Sequence, residues 1–357
     1  MAATPQNGAP VDPSPRVSIL IPTYNGARYL AEAIESVLNQ TCRDFELLVI
    51  DNASTDETPE IIARYDDPRL RKIRNENNLG LIGSVDKGRT LARGRLLVDI
   101  GSDDIWEPDL LECALQFWDS HPGLSFMHAS AILIDSAGTP CGGINAAWRE
   151  VTPGREAFVE VYKRGFCFSG MFMRKDLLDK FGTLDRSWDD MLDLWWFLKL
   201  SLNGDVGYMN RALLRYRLHD NSLSSALYVR GQGFRNHLAL AASAFDWPSA
   251  RSAGLTKVDR KLALKYIALD SMNQLHAVRD QGTKQEFLQA WSGLLTTVPI
   301  LIFYPRTWLR LGLGLLPRTL IKQLRRWRRR RAGARISLKP LQTSRKPADL
   351  SEDGSGV

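Results

Sequence analysis

"RVSILIPTYNGARYLAEAIESVLNQTCRDFELLVIDNASTD", residues 16–56, decides the fold. Val17 to Ile21 form a continuous apolar run, the pattern of a strand buried on both faces. A polar turn follows at Pro22-Thr23-Tyr24-Asn25-Gly26. Leu30, Ile34, Val37 and Leu38 then recur at helical spacing, with Asn25 placed to cap the helix. A second apolar run closes on Asp51 and the polar loop that ends at Asp56.

The same alternation continues. "TDETPEIIARY" reads as a second helix, "LRKIRN" as a short third strand, residues 81–93 as a helix closed by Gly94, and "RLLVDIGSDD" as a fourth strand. Strand-helix repetition of this kind predicts an α/β fold, a mostly parallel sheet flanked by helices. Residues 124–134 read as another strand and 135–160 as loop-rich. "FCFSGMFMRKDLLDKFG" is strand then helix, residues 193–204 an apolar helix, and "DVGYMNRALLRYRLHDNSLS" a strand with a polar tail. Beyond residue 230 a C-terminal helical appendage is expected, with Leu255, Val258, Leu262, Tyr266 and Leu269 on one face. The expected organisation is a disordered leader over 1–15, an α/β domain over 16–228, a helical, basic region over 229–335 and a disordered tail over 336–357.

Composition narrows the partners. The net charge is +7, but "RRWRRRR" at 325–331 carries much of it, and the remainder is near balance. No base-reading motif accompanies that run, so nucleic acid is not the expected partner. The stretch 294–331 is apolar but broken by Pro299, Pro305, Arg306, Arg310 and Pro317. It falls short of the roughly 18 uninterrupted apolar residues of a spanning helix. Trp308, Trp327 and the arginines suit peripheral contact with an anionic membrane face instead. The alternative is a core-packing helix with a solvated basic end. Cys42, Cys113, Cys141 and Cys167 form no CxxC pair, which argues for reduced thiols in a cytoplasmic protein. The N-terminus has neither the basic nor the apolar segment of a signal peptide.

In a parallel sheet, ligands bind beyond the carboxyl ends of the strands. Three polar clusters stand at such ends: 22–26, 51–56 and 101–104. They are expected to converge on one cleft. Asp103 and Asp104 suit a hard divalent cation, Mg²⁺ or Mn²⁺, although an Asp pair opening a helix is the plainer reading. The Tyr24 ring and the Asp51 carboxylate suit a nucleobase, one stacking and one accepting an N–H. No GxGxxG follows the first strand and no GxxxxGK[ST] occurs, so the chain carries neither a dinucleotide fingerprint nor a P-loop.

"VSILIPTYNGARYLAEAIESVLNQT", "FELLVIDNASTDETPEII", "NLGLIGSVDKG" and "GSDDIWEPDLLE" together resemble family 2 glycosyltransferases of the GT-A fold, over residues 16–225. The resemblance implies a nucleotide-sugar donor held by Pro22, Thr23, Tyr24, Asn25, Asp51, Ser54, Lys87, Ser102 and Asp103, with uracil the commonest base. Asp56 occupies a family acid position and also suits a helix cap. The resemblance implies a metal at Asp103, Asp104 and His219, and a catalytic base at Asp193, with Asp190 and Asp189 as rivals. Two departures stand out. Gly101 replaces the first acid of the family's acidic motif, which Asp99 does not restore in register, and Val85-Asp86 replaces an Arg-Asn pair, leaving Lys87 as the cation for the diphosphate.

The activity implied is metal-dependent, inverting sugar transfer to a glycan or lipid-linked hydroxyl in cell-surface polysaccharide synthesis. It would take place at the inner face of the membrane. Two other readings stay open. A nucleotidyltransferase would usually carry an early Gly-rich phosphate loop, which "PTYNGARYL" is not. A non-catalytic nucleotide-sugar-binding or scaffold protein would share the fold without the reaction.

Overall fold

The computed structural model describes residues 14–144, 148–167, 169–182, 188, 191–219, 232–267 and isolated positions between 285 and 312. Residues 1–13 and 313–357, which hold almost all of the expected leader, the expected tail and the arginine run, lie outside them, as do Asp189, Asp190 and Leu269.

The first half is built as its alternation predicts. Strands β1 (Val17–Thr23), β2 (Phe45–Asp51), β3 (Leu70–Arg74) and β4 (Leu96–Asp99) run parallel. Helices α1 (Leu30–Leu38), α2 (Thr58–Ala63) and α3 (Gly80–Leu91) connect them. Each apolar run is buried on both faces because the side chains alternate between two cores. Leu20, Leu48, Ile50 and Leu97 join one, while Ile19, Ile21, Leu47 and Val49 join the other. Gly88 lets α3 press on the sheet: a Cβ there would lie 2.5 Å from Ile50 Cδ1.

The second half mixes strand directions. The element order continues through β5 (Ile105–Trp106), α4 (Leu110–Ser120), β6 (Leu124–Ile134), β7 (Pro140–Ile144), β8 (Val151–Thr152), α5 (Gly154–Arg164), β9 (Phe172–Arg174), α6 (Lys175–Lys180), α7 (Leu192–Ser201) and β10 (Asp205–Arg217). The sheet order is β3-β2-β1-β4-β9-β6-β10-β5, with β7 beside β6 and β8 beside β10. β9 is antiparallel to both neighbours, whereas β6 and β10 pair in parallel. Helix α7 is apolar all round because it is covered twice. Phe197 packs against Phe126 of the sheet, and Trp195 meets Trp247 outside.

The chain then forms α8 (Gln232–Ala244), α9 (Pro248–Ser252) and α10 (257–267). Leu240, Ala241, Phe245, Ala263 and Ile267 share the core of α5 and α7. Among the described residues no helix is long and apolar enough to cross a membrane.

Three expectations fail locally. Asn25 does not cap α1: it sits in the left-handed region at φ 50°, and Tyr29 takes the cap position without a side-chain bond. Within residues 135–160, expected to be loop-rich, helix α5 begins at Gly154 and runs to Arg164, with Ala157, Phe158, Val161 and Tyr162 buried. The expected apolar face near α10 is met in part, since Leu255 and Tyr266 pack against the core. Val258 is 74% exposed and Leu262 37%, while Ala263 and Ile267 face the core. Salt bridges join Asp259 to Arg155 and Arg260 to Asp246 along this helix.

Candidate active site

At the carboxyl edge of the sheet, register places Thr23 beside Asp51 and Asp51 beside Arg74. The loops after β1 and β2 are laced together. Asn25 N donates to Ser54 Oγ at 2.9 Å, and Asn25 Oδ1 accepts from Thr55 N at 2.9 Å. The left-handed Asn25 lets its backbone and side chain reach the same loop. Asp56 accepts from Ala27 N and Thr58 N, so it ties this crossing and caps the start of α2. Tyr24 stays half exposed above, free to offer a ring face. Pro22 and Thr23 are in β1, and the buried Thr23 Oγ1 has no hydrogen-bond partner.

Asp51 is buried, accepts from Ser54 N at 2.9 Å and pairs with Arg74 Nη1 at 2.7 Å. Arg74 was absent from the expected set, as were Asn52 and Asn75. Asn52 Oδ1 accepts from Asn75 Nδ2 at 3.0 Å, and Asn75 Oδ1 accepts from Lys87 Nζ at 2.7 Å. Lys87 is thereby held at this rim by a neutral amide, its charge not neutralised by that partner. Their signal was available: "RN" ends a parallel strand, where ligand-facing residues belong.

The acidic loop is folded more tightly than its sequence suggests. A Cβ on Gly101 would lie 2.7 Å from Asp103 Oδ1 and 2.9 Å from Asp104 Oδ2, so the two carboxylates occupy the space beside it. Ser102 faces the first loop, its Oγ 3.4 Å from where a Gly26 Cβ would stand. Asp103 Oδ2 meets His219 Nε2 at 2.8 Å. Asp104 does not join that pair. It is buried, accepts from Arg217 N at 2.9 Å and is bonded by Ser169. Burial, and then the adjacent Asp103 charge, push Asp104 up to about 7. Arg217 is itself buried. It donates Nε to Asp103 O at 2.8 Å, pairs with Glu32 at 2.6 Å, and lies over the Tyr29 ring at 4.4 Å. Asp104 therefore stands apart from the Asp103–His219 pair, and no group of three acids, histidines or cysteines that could hold a metal occurs among the described residues.

Asp193 stands in the first turn of α7, partly exposed, its Oδ1 accepting from Leu194 N at 2.7 Å. The buried Cys167 thiol is pushed up first by burial, then by Asp104 and by Asp193. Cys167 thus feels both acids, Asp104 more strongly than Asp193. The rivals Asp189 and Asp190 lie outside the described residues.

Asp99 sits beneath this site. It is 3% exposed, and neither carboxylate oxygen has a hydrogen-bond partner. Burial pushes it up to about 8, so at neutral pH it is protonated. It therefore supplies no charge to a metal. An unfolded Asp titrates near 3.9. The native state holds its proton between about 4 and 8 while the unfolded state loses one, so stability falls as pH rises through that window. Asp99→Asn is expected to remove up to about 1.4 kcal/mol per pH unit of that slope. Denaturant titrations at pH 5, 6.5 and 8 should show the variant gaining on the parent as pH rises. Equal slopes would place a buried partner on Asp99.

Comparison with known proteins follows the same geometry. The model of glycosyl transferase family 2 matches residues 18–182. The putative teichuronic acid biosynthesis glycosyltransferase TuaG of Bacillus subtilis is 30% identical over 217 residues, covering 59% of this chain and 82% of TuaG. The chain belongs to glycosyl transferase family 2. Chondroitin synthase of Escherichia coli is 35% identical to this glycosyltransferase over 126 residues, which span 35% of the chain and 18% of the synthase. Among solved structures, S. aureus TarS 1–349 in complex with UDP-GlcNAc superposes with a TM-score of 0.56 at 17% identity. That match covers 79% of this chain and 89% of TarS 1–349. The shared fold is the GT-A α/β architecture.

Proposed function

We propose that this glycosyltransferase moves a sugar from a uridine diphosphate donor to a hydroxyl of a glycan or lipid-linked acceptor, with inversion, in cell-surface polysaccharide synthesis. One observation carries the reading. The laced loops of Asn25 and Asp51 and the acidic loop of Asp103 and Asp104 share the carboxyl edge of one sheet, with Ser102 Oγ 3.4 Å from where a Gly26 Cβ would stand. TuaG, a putative teichuronic acid biosynthesis glycosyltransferase, and TarS, bound to UDP-GlcNAc, support the process and the donor class.

Tyr24 offers a face for the base, and Asp51 with Arg74 offers an acceptor and a donor at its edge. Lys87 meets the diphosphate. Asp103 and His219 form an oxygen-nitrogen pair that fits a divalent cation, Mg²⁺ or Mn²⁺; burial raises Asp104 first and the Asp103 charge second, and a cation there would relieve the second. Such a cation, when bound, neutralises charge on the departing diphosphate. Asp193 takes the proton of the acceptor hydroxyl as its oxygen attacks the anomeric carbon from the face opposite the diphosphate. The bond to the diphosphate breaks as the new glycosidic bond forms, which inverts that carbon.

The test is release of UDP from a panel of UDP-sugars with Mn²⁺, compared with GDP- and dTDP-sugars, and NMR of the product's anomeric proton. UDP release with an inverted anomer is expected. Retention of configuration would overturn the mechanism. Binding without turnover of any donor would favour the scaffold reading, for which Gly101 is the specific observation.

On the proposed reading the acceptor side lies at the cytoplasmic membrane face, with residues 294–331 as the basic, apolar segment that meets it. Their structure lies almost wholly outside the described residues.

A further inference from the structure

We propose that Arg217 is a positioning residue for the transfer reaction: its guanidinium holds the acidic loop so that Asp103 and His219 stand together, ready for the cation. This deepens the proposed function and rests on its metal-dependent reading.

Arg217 ends β10, and its side chain is 2% exposed. Burying a guanidinium is costly unless its donors are used. Here they reach two other elements. Nε donates to Asp103 O at 2.8 Å, and Nη2 meets Glu32 of α1 at 2.6 Å. The face of the group lies over the Tyr29 ring at 4.4 Å. The backbone N–H of the same residue donates to Asp104 Oδ1 at 2.9 Å. One residue thus grips the acidic loop at two consecutive positions and ties it to the start of α1. The ion pair is lopsided. The Glu32 side chain is 55% exposed, so solvent screens its charge, while the buried cation sits against the loop. Stability alone does not call for this choice, because a buried ion pair can often be replaced by packed apolar groups without loss.

The same segment delivers His219. The chain stays paired past the end of β10, with Leu218 N donating to Ile134 O at 2.8 Å. Side chains alternate along it: Arg217 is buried, Leu218 is exposed, and His219 turns back to the site. Arg217 and His219 therefore lie on one side of the chain, and both meet Tyr29, whose ring centroid is 5.2 Å from that of the imidazole. The Tyr29 hydroxyl is itself anchored, donating to Ser136 O at 3.2 Å in the turn between β6 and β7. Arg217 fixes the backbone of Asp103 while β10 brings His219 to its carboxylate at 2.8 Å. A lysine at 217 would carry the same charge without the planar fork that reaches Asp103 and Glu32 at once.

Calorimetric UDP titration over a range of Mn²⁺ concentrations, together with hydrogen exchange of the metal-free protein, tests the role. Outer partners that orient metal ligands are worth roughly 10- to 100-fold in metal affinity. R217M keeps an unbranched stem against Tyr29 and should need that much more Mn²⁺ for the same UDP binding. R217K should show a comparable loss, since charge without the fork does not place the loop. Metal-free UDP binding should match the parent in both, because the loops of Asn25 and Asp51 are bonded to one another on other elements. In the metal-free state, amides 101–104 should exchange faster in both variants, while those of β2 keep the parent's protection. E32A removes an exposed partner, so the fold is not at stake. It should show both changes at smaller size, and it decides the matter if the Arg217 variants do not fold. Parental Mn²⁺ dependence in R217M, full recovery in R217K, or an unchanged E32A beside unfolded Arg217 variants would overturn the positioning role and leave the metal reading standing. A parent protein whose UDP binding ignores Mn²⁺ would overturn the metal reading and the proposal with it.

Discussion

Asp193→Asn is expected to lower sugar transfer at least 10³-fold while leaving UDP affinity within about twofold. A positioned general base contributes roughly 10² to 10⁴ in rate. An asparagine keeps the shape and the oxygen that accepts from Leu194 N, so the start of α7 remains bonded. What it loses is the capacity to take a proton. The nucleotide loops are unaffected because their hydrogen bonds run among Asn25, Asp51, Ser54 and Arg74, on other elements. Single-turnover transfer and calorimetric UDP titration, run on the same preparation, separate the two quantities. Turnover near the parent's would remove Asp193 from the base role and pass it to Asp190. Loss of UDP binding as well would show that α7 positions the donor rather than the acceptor.

The strands and the cleft were legible because their signals are local. A buried parallel strand is a short apolar run, and its polar carboxyl end is the next few residues, as at Thr23, Asp51 and Asp103. Partnership was not legible, since it depends on distant chain segments. Arg217 reaches Glu32 across 185 positions, and His219, which meets Asp103 across 116, was pointed to that acid by the family resemblance and by no local pattern. The same dependence misdirected the reading of α10. Val258 and Leu262 carry the stronger hydrophobic signal, yet they are exposed, and the face that packs is built on Ala263 and Ile267 with Tyr266 beside them. Helix α5 was masked by Pro153-Gly154, which reads as a loop although that pair opens the helix. At Asp99 the residue type alone suggested a charge, and only its unpartnered burial shows that it is held neutral.

Asp103→Ala is expected to abolish the Mn²⁺-dependent part of UDP binding, a loss on the order of 100-fold, while metal-free binding changes little. Among the described residues no third acid, histidine or cysteine completes a site with Asp103 and His219, so the pair has no substitute when its only carboxylate is removed. The neighbouring acid cannot swing in without loss: Asp104 is held by Arg217 N and Ser169 and is pushed up to about 7. Removing the Asp103 charge also removes one cause of that rise, so Asp104 should titrate lower in the variant, though still above an exposed Asp because burial is the larger cause. Calorimetry with and without Mn²⁺ reads the first effect, and carboxyl titration by NMR reads the second. His219→Ala should reproduce the metal effect with a smaller loss, since it leaves the anionic ligand in place. If Mn²⁺ dependence survives in both variants, the cation binds elsewhere on the donor. The Asp103–His219 contact would then be a structural pair that closes the acidic loop onto the end of β10.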